Sequence, residues 1–485
     1  MVALLKRKNI DATEGPIFSK MVYFVVPLML TNLIQQFYTI ADNIVVGKYS
    51  TDPSALGAIG SSASLVALLT ALFTGFSTGA AATVAHDFGA RDRVALTKSV
   101  HTASILSLCA GLLACMVGTL FAEPILVLMN TKEEFLEGAV VYMRIRCIGM
   151  PFVALYGAAG AILRSVGDSG TPLRILTVSG LVNVGLNVVF VTAFDMSSDG
   201  VALATLASQM LSVVCSYWVL IRRRDEEYSF SFSKLKFDSK TASRILKYAI
   251  PGTIQGSIAH VMNLFISTSV NIFSPEVVEA KTVAGNIDNM LSTIIATYGT
   301  TALTFTGQNR GARKADRIKR SLFFAILQSV AIAVIGGAIL LTFRRTLIGL
   351  FLNESNYDVE AVTEYASTIM RIMLTGYIIT GVSNSLAGFL KGMGHSLPPM
   401  VISLVDMGIV RVVWIFFVFP HFRTLEFLYY IYPISWTLSA LSYVAVSLII
   451  WRKDKKKLVK PCDGGTLSES KLSLSRAHTL DKSVK

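Results

Sequence analysis

FSKMVYFVVPLMLTNLIQQFYTIADNIVVG, residues 18–47, decides the fold. The run exceeds the roughly 20 residues that cross a bilayer core. Thr31, Gln35, Tyr38 and Asp42 follow one another at intervals of four, three and four, with Pro27 four residues before Thr31. Those intervals put all five on one helical face. A polar stripe that ends in a carboxylate, on a helix otherwise fit for lipid, should face protein or a water-filled cavity.

The rest of the chain repeats the pattern. Of its 485 residues 53% are hydrophobic and 15% charged, where a soluble domain carries about 25% charged residues. Apolar runs of spanning length recur along almost the whole chain and predict an all-α polytopic membrane protein with twelve spans. They lie at 17–47, 55–85, 97–121, 136–163, 171–194 and 200–221, then at 243–273, 280–306, 318–343, 359–390, 398–419 and 427–451. Residues 1–16 form an N-terminal segment, 222–242 a charged linker between two six-span lobes (17–221 and 243–451), and 452–485 a basic tail of disordered composition.

The net charge of +13 is a topology signal and predicts no nucleic-acid partner. Roughly 34 of the 44 Lys and Arg residues fall on one side. They include Lys6, Arg7, Lys8, Arg91, Arg93, residues 222–224 and several between 310 and 320. The opposite loops carry acids such as Glu123, Glu133, Glu276, Glu354 and Asp358. This places both termini in the cytoplasm and the protein in the cell membrane. The cysteines Cys109, Cys115, Cys147, Cys215 and Cys462 show no CxxC spacing, so no disulfide framework or metal site is expected. The first apolar run is long and lacks a cleavage pattern, so it reads as a retained span.

The lobes are copies of one unit. FGARDRVA (88–95) recurs as RGARKADR (310–317), LRSVGDSGTP (163–172) as LKGMGHSLPP (390–399), YMRIR (142–146) as IMRIM (369–373) and VVPLML (25–30) as AIPGTI (249–254). Six spans is an even number, so the copies share an orientation and form a parallel repeat about the membrane normal, with a cavity between lobes. That is a transporter's arrangement. Gly75, Gly79 and Ala82 supply a small-residue face for close helix packing.

These motifs, in this order and with ADNIVVGKY (41–49) closing span 1, resemble the MATE family (multidrug and toxic compound extrusion) over about residues 18–451. The resemblance implies two pseudo-symmetric six-helix bundles in a V. It also implies secondary export of cationic or amphipathic small molecules against H+ or Na+, with no other cofactor and no enzymatic activity. Span 1 is similar to the DinF-like branch, whereas 256–263 and 376–385 hold none of the acids that the NorM-like branch carries there. The DinF-like cluster maps onto Pro27, Gln35, Tyr38 and Asp42, with Tyr142, Asn183, Asn187 and Thr205. Several members have an Asp where Asn187 stands, so here Asp42 would be the cluster's one acid.

The residues' own chemistry supports part of that assignment. An ionised carboxylate in a half-dry cavity is costly, and protonation would remove its charge and rearrange its bonds to Asn183 or Asn187. The bland alternative is an Asp at the helix end satisfied by loop amides. Asn183 and Asn187 share a face, and Thr205, Gln209, Ser212 and Ser216 form another polar stripe. These stripes would build either one hydrated pocket or ordinary interhelical hydrogen bonds.

In the second lobe, Gly256, His260, Asn263, Ser267 and Asn271 form a stripe that does not copy span 1, because Asp42's duplicate is Ile266. Asp288, Asp406 and Arg411 are secondary candidates. Asp288 is either a coupling or substrate-facing acid or the ion-pair partner of Arg411 or Arg371. The duplicated Arg144 and Arg371 suggest a repeated structural role; His260, with Asn263 a further secondary candidate, reads as a packing or hydrogen-bonding residue rather than a proton carrier. Met29, Met290, Met370 and Met373 are either an adaptable surface or core filler. No phosphate loop is present, so ATP is not the energy source. The expected partners are a small-molecule substrate and the bilayer, with the chain a monomer. The other function carried is a flippase of lipid-linked saccharides from the same broader superfamily, which would need several basic residues facing the cavity.

Overall fold

The computed structural model describes residues 9–459 apart from 51, 53, 130, 225 and 352–357, and apart from the side chains of 63, 64, 457 and 459. Lys6, Arg7, Lys8, Glu354, Cys462 and the tail beyond 459 lie outside the described residues. Spans 1 to 6 are Ile17–Tyr49, Ala55–Gly89, Arg93–Leu120, a broken span 4, Gly170–Thr192 and Ser198–Arg222. Spans 7 to 10 are Ser239–Val270, Pro275–Gly311, Ala315–Thr342 and Val359–Gly392. Span 11 is Leu397–His421 and span 12 lies within Leu425–Lys456.

Two spans are not continuous α-helix. Span 4 is two helices, Glu133–Ile148 and Met150–Ser165, that meet at 41° around Gly149, where a single run over 136–163 was expected. Span 11 is wound partly as π-helix, over Ser403–Ile409 and Trp414–Val418, a distortion that recurs at functional sites. Among the described residues nine helices, or ten with the broken pair, are long and apolar enough to cross a membrane. Spans 7 and 8 have 32 and 37 residues but fall short in apolarity. The cause is chemical: Gln255, His260, Asn263, Asp288 and Asn289 line a cavity rather than face lipid.

The two lobes meet at the end that carries the 222–242 linker, here the basic end. Gly75 and Gly79 of span 2 lie against span 7, where a Cβ on Gly75 would sit 2.1 Å from Thr253 Oγ1 and one on Gly79 2.6 Å from the Ile245 carbonyl. The small-residue face is thus the crossing between lobes. The duplicated Gly-Ala-Arg motifs meet each other as well. A Cβ on Gly89 would fall 1.9 Å from the Gln308 carbonyl oxygen, and one on Gly311 2.1 Å from that of His86. Arg91 and Arg313 end their helices with the same left-handed φ of 56°.

Across the seam, Thr253 Oγ1 donates to the Leu72 carbonyl at 3.0 Å. Arg244 of span 7 pairs with the buried Asp87 of span 2, which also accepts from Ser99 Oγ at 2.6 Å. Residues 9–16 run over this seam. Ile10 N–H donates to the Gly167 carbonyl (3.2 Å) on the N-lobe, and Arg91 pairs with Asp11 at 2.5 Å. From the C-lobe, Asn309 Nδ2 donates to the Ala12 carbonyl (3.1 Å), Lys314 Nζ to that of Thr13 (2.9 Å), and Arg317 to those of Ala12, Glu14 and Gly15. The segment is a strap over both lobes. Burial would raise the Asp11 carboxyl, but hydrogen bonds from Thr13 and the charge of Arg91 outweigh it and hold the group below its usual range.

Candidate functional site

The polar stripe of span 1 opens on a small N-lobe cavity of about 190 Å³, lined by Gln35, Tyr38 and Asp42 together with Arg146, Asn183, Thr205, Gln209 and Ser212. Asn187, fully buried on span 5, donates through Nδ2 to Asp42 Oδ1 and lies 3.4 Å from Asn183 Oδ1. Two amide atoms stay open: Asn183 Nδ2 and Asn187 Oδ1 have no hydrogen-bond partner. Tyr38 reaches across to span 5, its hydroxyl 3.0 Å from the Leu176 carbonyl and 3.2 Å from that of Thr177. The cavity therefore has one acid, amides free to switch partners, and room for an ion and a few waters, below the roughly 300 Å³ of a small-molecule pocket.

Two residues assigned to this cluster do not line the cavity. Tyr142 is 9% exposed and packs with Val45, Val46, Ala55 and Val201, within electrostatic reach of Asp42 and Arg146. Pro27 is buried inside span 1. The turns around it lie against the other lobe, where Phe24 and Phe305 meet edge to face at 5.7 Å. Span 4 instead supplies Arg146 and Tyr156 to the wall, which sequence reasoning passed over. Arg146 lies one helical turn beyond Tyr142 on the same face, the one available signal.

A second N-lobe cavity of about 340 Å³ continues from the first through Gln35, Thr70, Val153 and Tyr156. It holds Thr31, Asn32, Ser77 and Arg164 and reaches Thr300 and Leu303 of the other lobe.

A larger cavity, about 850 Å³, is in the C-lobe, well inside the range for a drug-sized ligand. His260, Asn263, Asp288 and Arg411 all line it, with Lys281, Met370 and Met373. His260 is exposed to this space rather than packed. Tyr377 stacks on Trp436 with centroids 5.4 Å apart, and Tyr432 meets Trp436 at 5.5 Å. Tyr377 donates its hydroxyl to Asp288 Oδ2 at 2.7 Å, leaving Asp288 Oδ1 buried without a partner.

Among the described residues Asp288 makes no ion pair. Arg371 is exposed on the outer face of span 10, so the expected pairing with Arg371 or Arg411 is absent. Arg144 is likewise on the surface, 3.5 Å from Glu123. Asp406 is buried in the π-helical stretch and is not part of the lining, though it lies against Ser439, which is. Met29 and Met290 lie outside all three linings, and so does the second amide of the span 7 stripe, Asn271.

Two lobes of six spans, closed on each other at one end and hollowed by polar cavities, define a membrane transporter rather than an enzyme. The chain belongs to the MatE family, whose profile matches residues 27–189 and 242–417, one stretch in each lobe. The probable multidrug resistance protein YoeA of Bacillus subtilis is 25% identical over 452 residues, covering 91% of this chain and 96% of its own length. The multidrug export protein MepA of Staphylococcus aureus (strain MRSA252) is 22% identical over 450 residues, covering 90% of this chain and 94% of its own. A crystal structure of MATE in complex with MaL6 superposes with TM-score 0.85 at 20% identity, covering 94% of this chain and 100% of that one. An outward-facing multidrug resistance MATE transporter superposes with TM-score 0.84 at 20% identity, covering 94% and 99%. These two likenesses show the fold.

Proposed function

We propose that this protein exports small amphipathic organic molecules from the cell by alternating access, driven by inward flow of H+ or Na+, with Asp42 as the coupling group. The observation that carries the reading is the division of labour between cavities. The acid of the 190 Å³ N-lobe cavity is held by the single Asn187 amide, whereas the 850 Å³ C-lobe cavity has an aromatic wall and room for a substrate. The names of the relatives, multidrug resistance and multidrug export proteins, support export as the direction. The positive-inside rule puts the basic end in the cytoplasm and both termini with it, so the lobes are closed on the cytoplasmic side. Loss of charge at Asp42 would free Asn187 to bond elsewhere, which offers a local rearrangement between spans 1 and 5 that binding of the ion controls.

The test is reconstitution of the purified chain into proteoliposomes with amphipathic fluorescent dyes, first under an imposed pH gradient and then under a sodium gradient. Gradient-driven dye movement that Asp42→Asn abolishes is the expected result. The exporter reading fails if neither gradient moves any amphipath while a lipid-linked glycan is flipped, the flippase outcome.

A further inference from the structure

The charged groups in the cavity walls do not balance. The three cavities together present two acids, Asp42 and Asp288, and four basic side chains, Arg146, Arg164, Lys281 and Arg411. Both acids already accept hydrogen bonds from neutral donors, Asn187 and Tyr377. Arg146 shares its small cavity with Asp42 and acts on that acid's charge, yet among the described residues the cations lack a carboxylate at pairing distance. At the basic end Arg91, Arg223 and Arg244 each face a carboxylate, but among the described residues none of the four cavity cations belongs to an ion pair.

Arg411 shows this most sharply. It is 2% exposed and lies over the Tyr432 ring at 4.6 Å. Its Nε donates to Ser435 Oγ at 3.1 Å, and its Nη2 is buried with no partner at all. Lys281 has only the Ser267 hydroxyl. Arg146 leaves Nε buried and unpartnered. Arg164 stands among hydroxyls and amides in a cavity whose lining contains no acid, and its duplicate in the C-lobe is another cation, Lys391.

A buried charge without a counterion is strongly unfavourable, and ionisable side chains inside a membrane mark the path of a substrate. A guanidinium with free N–H groups matches carboxylate, sulfonate and phosphate geometry. We propose that the transported molecule carries such an anionic group on an apolar, ring-bearing body, its anion drawn to Arg411 and its ring to the Tyr377–Trp436 panel. This rests on the exporter reading and sharpens it: a purely cationic drug would meet four like charges against two acids.

The experiment uses two probes with one ring system and opposite charge, dansylglycine (a carboxylate) and dansylcadaverine (an amine). Their binding to the full chain in phosphatidylcholine proteoliposomes is measured by equilibrium dialysis. Wild type should bind dansylglycine at least about tenfold more tightly. Arg411→Gln should erase most of that preference, Arg411→Lys should restore part of it, and Arg164→Gln should weaken dansylglycine without weakening dansylcadaverine.

The inference is overturned if wild type prefers dansylcadaverine, or if the variants change both probes alike; the wild-type comparison holds even where a variant does not fold. Competition with dansylglycine by phosphatidylglycerol, absent with added phosphatidylcholine, would assign the anionic group to a lipid headgroup. No competition assigns it to a soluble amphipath. Binding preference without gradient-driven transport of either probe would sink the exporter reading alone, and transport with the opposite preference would sink only the charge assignment.

Discussion

At Asp42 a single hydrogen bond joins two helices that the chain separates by 145 positions. Asn187 Nδ2 also reaches Asn183 Oδ1 at 3.4 Å, while its own oxygen is left open. Asp42→Asn keeps shape and removes the titratable charge, so gradient-driven export should fall by at least about tenfold while folded protein is still recovered by size exclusion. Full activity in that variant would remove Asp42 from the coupling role.

Outside the membrane, Asp238 caps span 7. The Thr241 amide, the Thr241 hydroxyl and Lys98 draw its carboxyl down from 3.8 to about 2. A carboxyl depressed in the folded state stabilises it above the unfolded value and loses that effect as pH falls through the folded one. The thermal midpoint of wild type should therefore exceed that of Asp238→Ala at neutral pH. The gap should shrink as pH falls from about 4 to about 2; a gap that persists at the acid end would show that the cap acts without its charge.

Asp42, Asn183 and Asn187 were legible from helical spacing, because a polar side chain on an apolar span has few places to go. Arg146 was not. Its direction depends on the break at Gly149, two residues before Pro151, which opens the second helix of the span. A Cβ at Gly149 would lie 2.6 Å from Gln209 Oε1.

Between elements, duplication accounts for most of what was readable and divergence for what was not. The Gly-Ala-Arg motifs read as turn and topology signals. In the fold they also interlock, each glycine admitting the backbone of the other lobe. The LRSVGDSGTP and LKGMGHSLPP turns diverge in a way that only contacts reveal. Asp168 pairs with Arg223 at 2.7 Å in the N-lobe. Its duplicate position, His395, pairs with Asp454 at 2.8 Å in the C-lobe, so acid and base have exchanged places.

Spans 7 and 8 escape an apolarity test for the same reason: a helix that walls an 850 Å³ cavity carries polar groups that a lipid-facing helix does not. The interlock yields a prediction. Gly311→Val places a β-carbon 2.1 Å from the His86 carbonyl, an overpacking that costs about 1–3 kcal/mol in the closed arrangement. Export should slow by about tenfold, whereas Gly185→Ala, in open space, should match wild type. Equal rates for the two would mean the seam tolerates separation during the whole cycle.

For the molecule as a whole, the cross-lobe ties described here gather toward the basic end: the span 2–span 7 glycine crossing, the Asp87–Arg244 pair, and the strap of residues 9–16. In the proposed alternating-access cycle those ties hold one state, and the protein must break them once per cycle. The strap buries Ile10, Ala12 and Thr13, and on the C-lobe side it is held largely by side chains reaching for backbone carbonyls.

Arg317 accounts for three of those carbonyls and Lys314 for a fourth. Replacing both with Ala removes about 1.5–3 kcal/mol of charge-assisted bonding for each group lost, enough to shift a state balanced within a few kcal/mol. Spin labels at the exposed positions Val94 and Lys319, one on each lobe at the basic end, should then report a new population about 5 Å or more farther apart, the scale of a one-turn helix shift. If the distance distribution of the Lys314→Ala, Arg317→Ala chain matches wild type, the strap follows the lobes rather than ties them, and closure rests on the glycine crossing and the Asp87–Arg244 pair alone.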